Sequence, residues 1–572
     1  MSGVRAEGQG TMVERTSRVV IVGGGPAGLV LAIELGRRGV PCTVFEQNQG
    51  PPNFPKANST TSRTMEHYRR LGIAEDIRSL GLPDDFAPDT SYHTRFAGYE
   101  LARFHLPSRA ETLRARYRDD PRWPTPEPVH RAQQMLIEPV LKRHAARYAS
   151  VDLCFGWRVE AISHDAASVR VQARDLSSNQ LAEIRADYAV GCDGPRSIVR
   201  ETLGIRLDGI GAEDRDFMGG RMLAVYLDAP SFYDSVCAKP SWQHWAMNPE
   251  RFGILAAIDG RGRFVFHVQL PRGQRGSIDY ARESIRLTTG RDLACEILGI
   301  AEWTAGFTLV AERYGAGRVF LAGDAAHLFT PTAGLGYNTS VDDVANLGWK
   351  LAAVCRGWGG PELLSTYEIE RRPIAERNTR FARSIADFYR SLDVSPALEE
   401  DSAVGKAARA EFGKRCYELS VREFDAPGIH LGIFYGGSPI VADEPGQPPS
   451  DASNAYLPHA RPGARAPHAW LAAGEALFDR FGREFTLMKL AAGHATGALE
   501  QAAEERGMPL TVLEIFREDI RRLYDSDLVL VRPGSACRLA RQQPAVGRGR
   551  ADRAGCRRPG AEARQRRKIT LA

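Results

Sequence analysis

Gly23, Gly25 and Gly28 stand at the offsets of a GxGxxG turn inside "RVVIVGGGPAGLVLAIELGRRGVPCTVFEQ", residues 18–47, and no other segment restricts the fold as tightly. Arg18 to Val22 is a short β-branched run suited to a buried parallel strand, and Ala27 to Arg38 has helical spacing. Gly23 makes the tight turn, Gly25 lets the backbone approach a pyrophosphate, and Gly28 lets helix and strand pack closely. A phosphate then sits on the helix N-terminus, beside Pro26 and Ala27. Glu46 ends the next strand, 18 residues after Gly28, where a carboxylate accepts from ribose hydroxyls. The segment predicts an α/β chain with a dinucleotide cradle and does not decide between NAD and FAD.

The chain has 572 residues, 43% hydrophobic and 25% charged, which excludes a disordered, collagenous or disulfide-built protein and predicts two or three domains. Its nine cysteines contain no CxxC, so no zinc or dithiol spacing is present, and a reducing compartment suits them. No apolar run approaches the ~18 residues of a membrane span, and Met1 to Ser17 lacks the apolar stretch of a secretion signal. The expected location is the cytoplasm. The net charge of +5 is uneven: residues 534–572 hold eleven Lys or Arg against Asp552 and Glu562, a net of +9, leaving 5 − 9 = −4 for residues 1–533. An acidic body predicts no nucleic-acid partner.

Two later segments choose the cofactor. "DYAVGCDGPRSIVR", Asp187 to Arg200, reads as a strand running into Asp193-Gly194 and a short helix. "GRVFLAGDAAHLFTPTAGLGYNTSVDDVANLGWKL", Gly317 to Leu351, reads as a strand with Asp324 at its carboxyl end, a Pro/Gly loop and a helix. The loop Pro331 to Gly336, with Gly334 in it and Tyr337 and Asn338 just after it, can bring backbone N–H groups to a flavin ring, and a helix N-terminus favours the negative charge of a reduced flavin.

In this order the three segments resemble the motifs of the FAD-dependent aromatic hydroxylases with the para-hydroxybenzoate hydroxylase fold. The resemblance covers most of residues 16–533. It implies that Asp193 serves both FAD and NAD(P)H, that Asp324 binds the ribityl-pyrophosphate part of FAD, and that no separate NAD domain exists. Lys56 stands where the family carries a phosphate-contacting Arg, and Asn58 aligns with an acidic active-site residue of the phenol hydroxylases. Gln134, in "HRAQQMLIEPVLKRHA", matches a flavin-contacting amide. Ala333, Leu335, Tyr337 and Ser340 replace residues common in the family's flavin loop.

The expected organisation is an FAD-binding domain over 16–386 interleaved with a mixed-sheet substrate domain, the sheet falling mainly in 75–125 and 203–310. A helical and loop connector over 387–455 and a thioredoxin-like domain over 456–533 without dithiol chemistry follow. The tail from Gly534 reads either as a basic arm or as an out-of-frame translation. With synonymous codons shifted by one base, Gly534 to Val546 spells Asp-Gln-His-Val-Ala-Trp-Arg-Gly and onward, the family's ending.

The resemblance implies a monooxygenase that hydroxylates a phenolic or related aromatic ring. NADH or NADPH reduces FAD, O₂ adds at the flavin C4a, and the distal oxygen of the hydroperoxide passes to the ring. Asn58 and His244 are the candidate catalytic residues, and the pocket candidates are Arg221, Tyr226, Trp242, Trp245, Met247 and His267. The partners expected are a small aromatic substrate, O₂ and a second copy of the chain in a homodimer, with no metal. A reductase or halogenase on the same fold is the alternative, although Trp242-Gln-His-Trp245 does not match the halogenases' Trp-x-Trp-x-Ile-Pro. A non-enzymatic ligand or nucleic-acid binder is the remote one.

Overall fold

The computed structural model describes residues 13–541 apart from 116, 119, 212–218 and 448–449. Five parallel strands form the heart of the first sheet, in the order Val319–Leu321, Leu181–Gly191, Val13–Val22, Cys42–Glu46 and Val151–Phe155. Val19 to Val22 are buried, as a strand covered on both faces demands. Helix Pro26–Gly36 lies on one face against helix Leu335–Cys355. Gly348 faces Glu34 there so closely that an added Cβ would come within 2.7 Å of the glutamate's Cβ.

A second, seven-stranded sheet runs in the order Glu296–Ala305, Gly220–Asp228, Arg263–Gln269, Phe252–Ala257, Gln243–Met247, Thr90–His93, Glu100–Phe104. Its two faces have different neighbours. Leu223, Val225, Leu255, Phe264 and Phe266 pack with Phe232 and with Ala281 and Ile285 of helix Ile278–Thr289. Ala224, Ala256, Val265 and Tyr226 face Phe54 and Met135 of the nucleotide-binding part.

The residues expected as a connector form part of this second wall. Helix Thr366–Arg390 runs straight through the 386/387 boundary, because its buried positions continue from Ile374 through Ala382 and Ile385 to Tyr389. Helix Ala403–Phe424 then buries Phe412, Cys416 and Leu419 with Trp245 and Tyr389.

The C-terminal unit holds a four-stranded sheet in the order Leu510–Glu514, Phe485–Lys489, Leu528–Arg532, Ala536–Arg541, the first pair parallel and the others antiparallel. The boundary drawn at Gly534 therefore falls inside the sheet. Backbone pairing needs no particular side chains, and Cys537 is fully buried. The rest of the tail, from residue 542, lies outside the described residues.

Charged side chains clasp this unit to the first. Arg465 Nε donates to Glu66 Oε2 at 3.0 Å, Arg532 Nη1 and Nη2 reach Glu370 at 2.6 and 2.9 Å, and Arg38 Nε reaches Glu484 at 3.0 Å, all buried. Buried pairs of this kind add little net stability, but removing one partner costs about 3–5 kcal/mol because a charge is stranded.

Candidate active site

The three glycine-and-aspartate motifs, 170 and 300 residues apart in sequence, touch one another at the carboxyl ends of the parallel strands. Gly23 has φ +104°, and a Cβ on it would strike Cys192 O at 2.2 Å, so its backbone lies directly on the Asp193 segment. Gly28 is equally closed, with Gly23 O 1.9 Å from an added Cβ. Gly25 differs: a Cβ there would meet no protein atom within 4 Å, and it caps the N-terminus of helix Pro26–Gly36. That pattern, two glycines needed for packing and one opening onto space above a helix N-terminus, fits a pyrophosphate.

Around this opening, Glu46 accepts the Gly24 N–H and the Asn48 N–H, each at 2.8 Å, fixing the carboxylate at the end of its strand. Asp193 accepts the Ser197 hydroxyl at 2.6 Å and the Val199 N–H at 3.3 Å, and burial raises its pKa. Arg200 then reaches Ala325 O at 3.1 Å, tying the second motif to the third. Asp324 keeps solvent-accessible surface although protein crowds it, and this burial raises its pKa against the pull of His327 and Lys56. Lys56 acts on Glu138 in the same way, and Gln134 donates to Glu138 across 2.5 Å. The structure thus gathers Lys56, Gln134, Glu138 and Asp324.

The loop Pro331–Gly336 carries two successive left-handed residues, Ala333 (φ +58°) and Gly334 (φ +62°). Asn338 holds it in place by accepting Thr61 N–H at 2.8 Å and donating to Ser59 O at 2.9 Å and Gly334 O at 2.6 Å. Tyr337 shares a hydrogen bond with Tyr68, and burial pushes both phenols up. Glu423, from the neighbouring helix, accepts the Ala333 N–H at 2.8 Å and the Tyr389 hydroxyl at 2.8 Å. Tyr389 in turn stacks on Trp245, 4.3 Å between centroids and 6° between planes.

The second sheet sorts the pocket candidates by strand parity. Tyr226 and His267 lie on the face toward Phe54, with His267 edge-on to Trp303; burial alone lowers the His267 pKa to about 4, so the imidazole is neutral. Trp245 and Met247 share that face and pack with Tyr389. Arg221 is spent on an ion pair with Glu302 at the edge. Trp242 lies beneath Arg131 and packs on the opposite face, in the cluster of Phe232 and Leu255.

His244 points the other way, into the core with Phe232. Ser91 Oγ lies 3.1 Å from His244 Nδ1 and 3.0 Å from His93 Nε2, and Cys237 completes a group whose ligand atoms fall within 4.8 Å. Burial, then His93, drives the His244 pKa far down, so this is a neutral imidazole in a core network, remote from the cleft. Asn58 is half-buried between Ala57 and Ser59 in the segment that meets the loop. Sequence reasoning missed Phe54, Arg131, Tyr389 and Glu423, which carry no local motif.

The strand order, the glycine cradle and the apolar sheet face turned toward it fit a flavin-nucleotide oxidoreductase. The chain belongs to the FAD-binding-domain family, which matches residues 16–382. It is 32% identical over 585 residues to a putative polyketide hydroxylase of Streptomyces halstedii, covering 94% of this chain and 96% of that protein. It is 30% identical to the phenol 2-monooxygenase of Pseudomonas sp. (strain EST1001), covering 90% and 88%. Among solved structures, the rebeccamycin biosynthetic enzyme RebC with reduced flavin superposes with a TM-score of 0.83 at 33% identity, covering 93% of this chain and 98% of RebC. FAD is the cofactor, and the chain is an FAD-dependent aromatic monooxygenase. No helix among the described residues is long and apolar enough to cross a membrane.

Proposed function

We propose that the chain hydroxylates a phenolic or related ring held between the flavin and the sheet face bearing Tyr226, Ala256, Val265 and His267. NAD(P)H, O₂, a proton and the arene become NAD(P)⁺, water and the phenol. FAD, when bound, supplies two-electron reduction by NAD(P)H and activation of O₂. Gly25 and the following helix N-terminus hold its pyrophosphate, and Glu46 and Asp324 its hydroxyls. The loop Pro331–Gly336 offers N–H groups to the ring, Lys56 supplies positive charge, and Gln134 a side-chain amide. Asn58 is read as a polar contact in the substrate pocket, and His244 is not read as a base.

The observation that carries this reading is the apolar face of the second sheet, with Phe54, Tyr226 and Trp303 at its margin, turned toward the cradle. Such a face excludes water, which hydroxylation requires if peroxide is not to be wasted. The C-terminal unit is read as thioredoxin-like and structural, and the assembly as a homodimer. The test is oxygen uptake by the FAD-loaded protein with NADH or NADPH across a panel of phenols, with peroxide assayed in parallel. One phenol should accelerate NAD(P)H oxidation and take up ¹⁸O from labelled O₂. Stimulated oxidation with no label in any product would make the chain a reductase instead.

A further inference from the structure

We infer that Arg131 is the receptor for an anionic oxygen group, carboxylate or phenolate, carried by the aromatic substrate; the inference rests on the hydroxylase reading and names its substrate class. Arg131 is held at the junction of both walls of the site. Its neighbour His130 exchanges backbone hydrogen bonds with Thr60, at 2.8 and 2.9 Å. Its guanidinium donates to the Ser59 hydroxyl. Ser59 borders the flavin loop, its Cβ 3.2 Å from where a Gly334 Cβ would stand.

The guanidinium stacks over Trp242, 4.1 Å from the ring centroid, with Phe424 at 5.8 Å. Stacking covers the flat face, and the N–H edge, one of whose groups goes to Ser59, is the edge that meets carboxylates in the plane. Protein surrounds it so fully that desolvation lowers its pKa to about 10, yet the side chain keeps accessible surface. It remains a cation at neutral pH.

What this cation lacks, among the described residues, is a carboxylate in an ion pair. The buried arginines Arg38, Arg78, Arg371, Arg465 and Arg532 each clasp a carboxylate. Arg131 forms no ion pair among the described residues. The acid that acts on it, Glu423, has one oxygen committed to the Ala333 N–H and the other to the Tyr389 hydroxyl, and burial raises its pKa. A guanidinium so desolvated and without an ion pair gains from an anion that reaches it. An aromatic ligand lying along the sheet, its acidic group beside Ser59, meets that requirement.

The test uses the full-length, FAD-loaded protein and the perturbation of its flavin absorbance on ligand binding. Hydroxybenzoates and hydroxynaphthoates are titrated against their primary amides, and 4-nitrophenol below and above its own ionisation. The acids, or ionised nitrophenol, should bind about tenfold to hundredfold more tightly than the neutral forms. R131M should abolish that preference by weakening the anion alone, and R131K should recover part of it. Preference in the acid–amide pairs alone assigns a carboxylate; preference on nitrophenol ionisation alone assigns a phenolate.

Equal binding of charged and neutral partners by the wild type, or equal weakening of both in R131M, overturns the inference. If R131M fails to hold FAD, R131K decides: an unchanged anion preference there overturns the fork-like contact. Coupled hydroxylation of neutral phenols, unaffected by Arg131 substitution, sinks this inference and leaves the hydroxylase reading standing. Binding of no aromatic compound by the wild type sinks both.

Discussion

Arg371 donates through Nε to Asp343 Oδ1 across 2.8 Å, joining helix Thr366–Arg390 to helix Leu335–Cys355 directly under the cofactor cradle. The other oxygen of Asp343 takes the His327 Nε2 proton at 2.6 Å and the Gly323 N–H at 3.3 Å. Three donors on one buried carboxylate fix the turn that carries Asp324. D343N puts an NH₂ among those donors. It should cost about 3–5 kcal/mol of stability and weaken FAD binding at the same time. Thermal melts and FAD titration of the apoprotein check this, and a variant with wild-type melting and FAD affinity would remove the role.

The three glycines of the cradle should separate packing from ligand contact. G25V places its side chain in the space above the helix, where no protein atom lies within 4 Å, so the fold should survive while FAD content falls. G28V drives its side chain into Gly23 O and should fold poorly. The ratio of flavin to protein absorbance, beside the melting curve, distinguishes the two. Equal behaviour of both variants would contradict the assignment of Gly25 to the pyrophosphate.

Ala333 holds a left-handed conformation that costs a residue with a Cβ about 1–2 kcal/mol, against about 0.5–1 kcal/mol of extra chain entropy for glycine. A333G should therefore match the wild type or gain up to about 1.5 kcal/mol. A333V should lose stability. A drop in melting temperature for A333G would show that the methyl group, packed beside Leu335 and Phe381, matters more than the backbone.

Glu66 gives the acid dependence of C-terminal docking. Burial raises its pKa, but Arg465 and then Arg63 outweigh that and bring it to about 2 from its ordinary 4.5. Because the folded value is the lower one, the pair stabilises fully above about pH 4.5, and its contribution is lost as the pH falls toward about 2. Melting temperature followed down this range should decline, and E66Q, already weaker at neutral pH, should decline less steeply. Parallel slopes would place the acid sensitivity elsewhere.

The glycine turn was legible in the sequence because close packing at Gly23 and Gly28 fixes those residues at short, local spacing. The facing of the second sheet was not. His244 and Trp245 are adjacent, and strand alternation alone sends one into the far core and the other toward Tyr389. Arg131 meets Ser59, and Glu423 meets Ala333, only because distant segments fold together, and no periodicity announces such meetings. At Gly534 the composition changes, but the backbone continues to pair through Arg541.

The clasp between the two ends of the chain bears on how such a protein can be recombined. Glu66 and Glu370 are buried carboxylates of the nucleotide-binding part whose guanidinium partners, Arg465 and Arg532, arrive from beyond residue 460. A chimera that exchanges the C-terminal unit with that of another chain must import arginines at both places. Without them, among the described residues, Glu66 keeps only the cation of Arg63 and Glu370 only that of Lys350. Each buried acid loses a two-pronged guanidinium contact, and the segments are inherited as a matched set rather than as exchangeable modules.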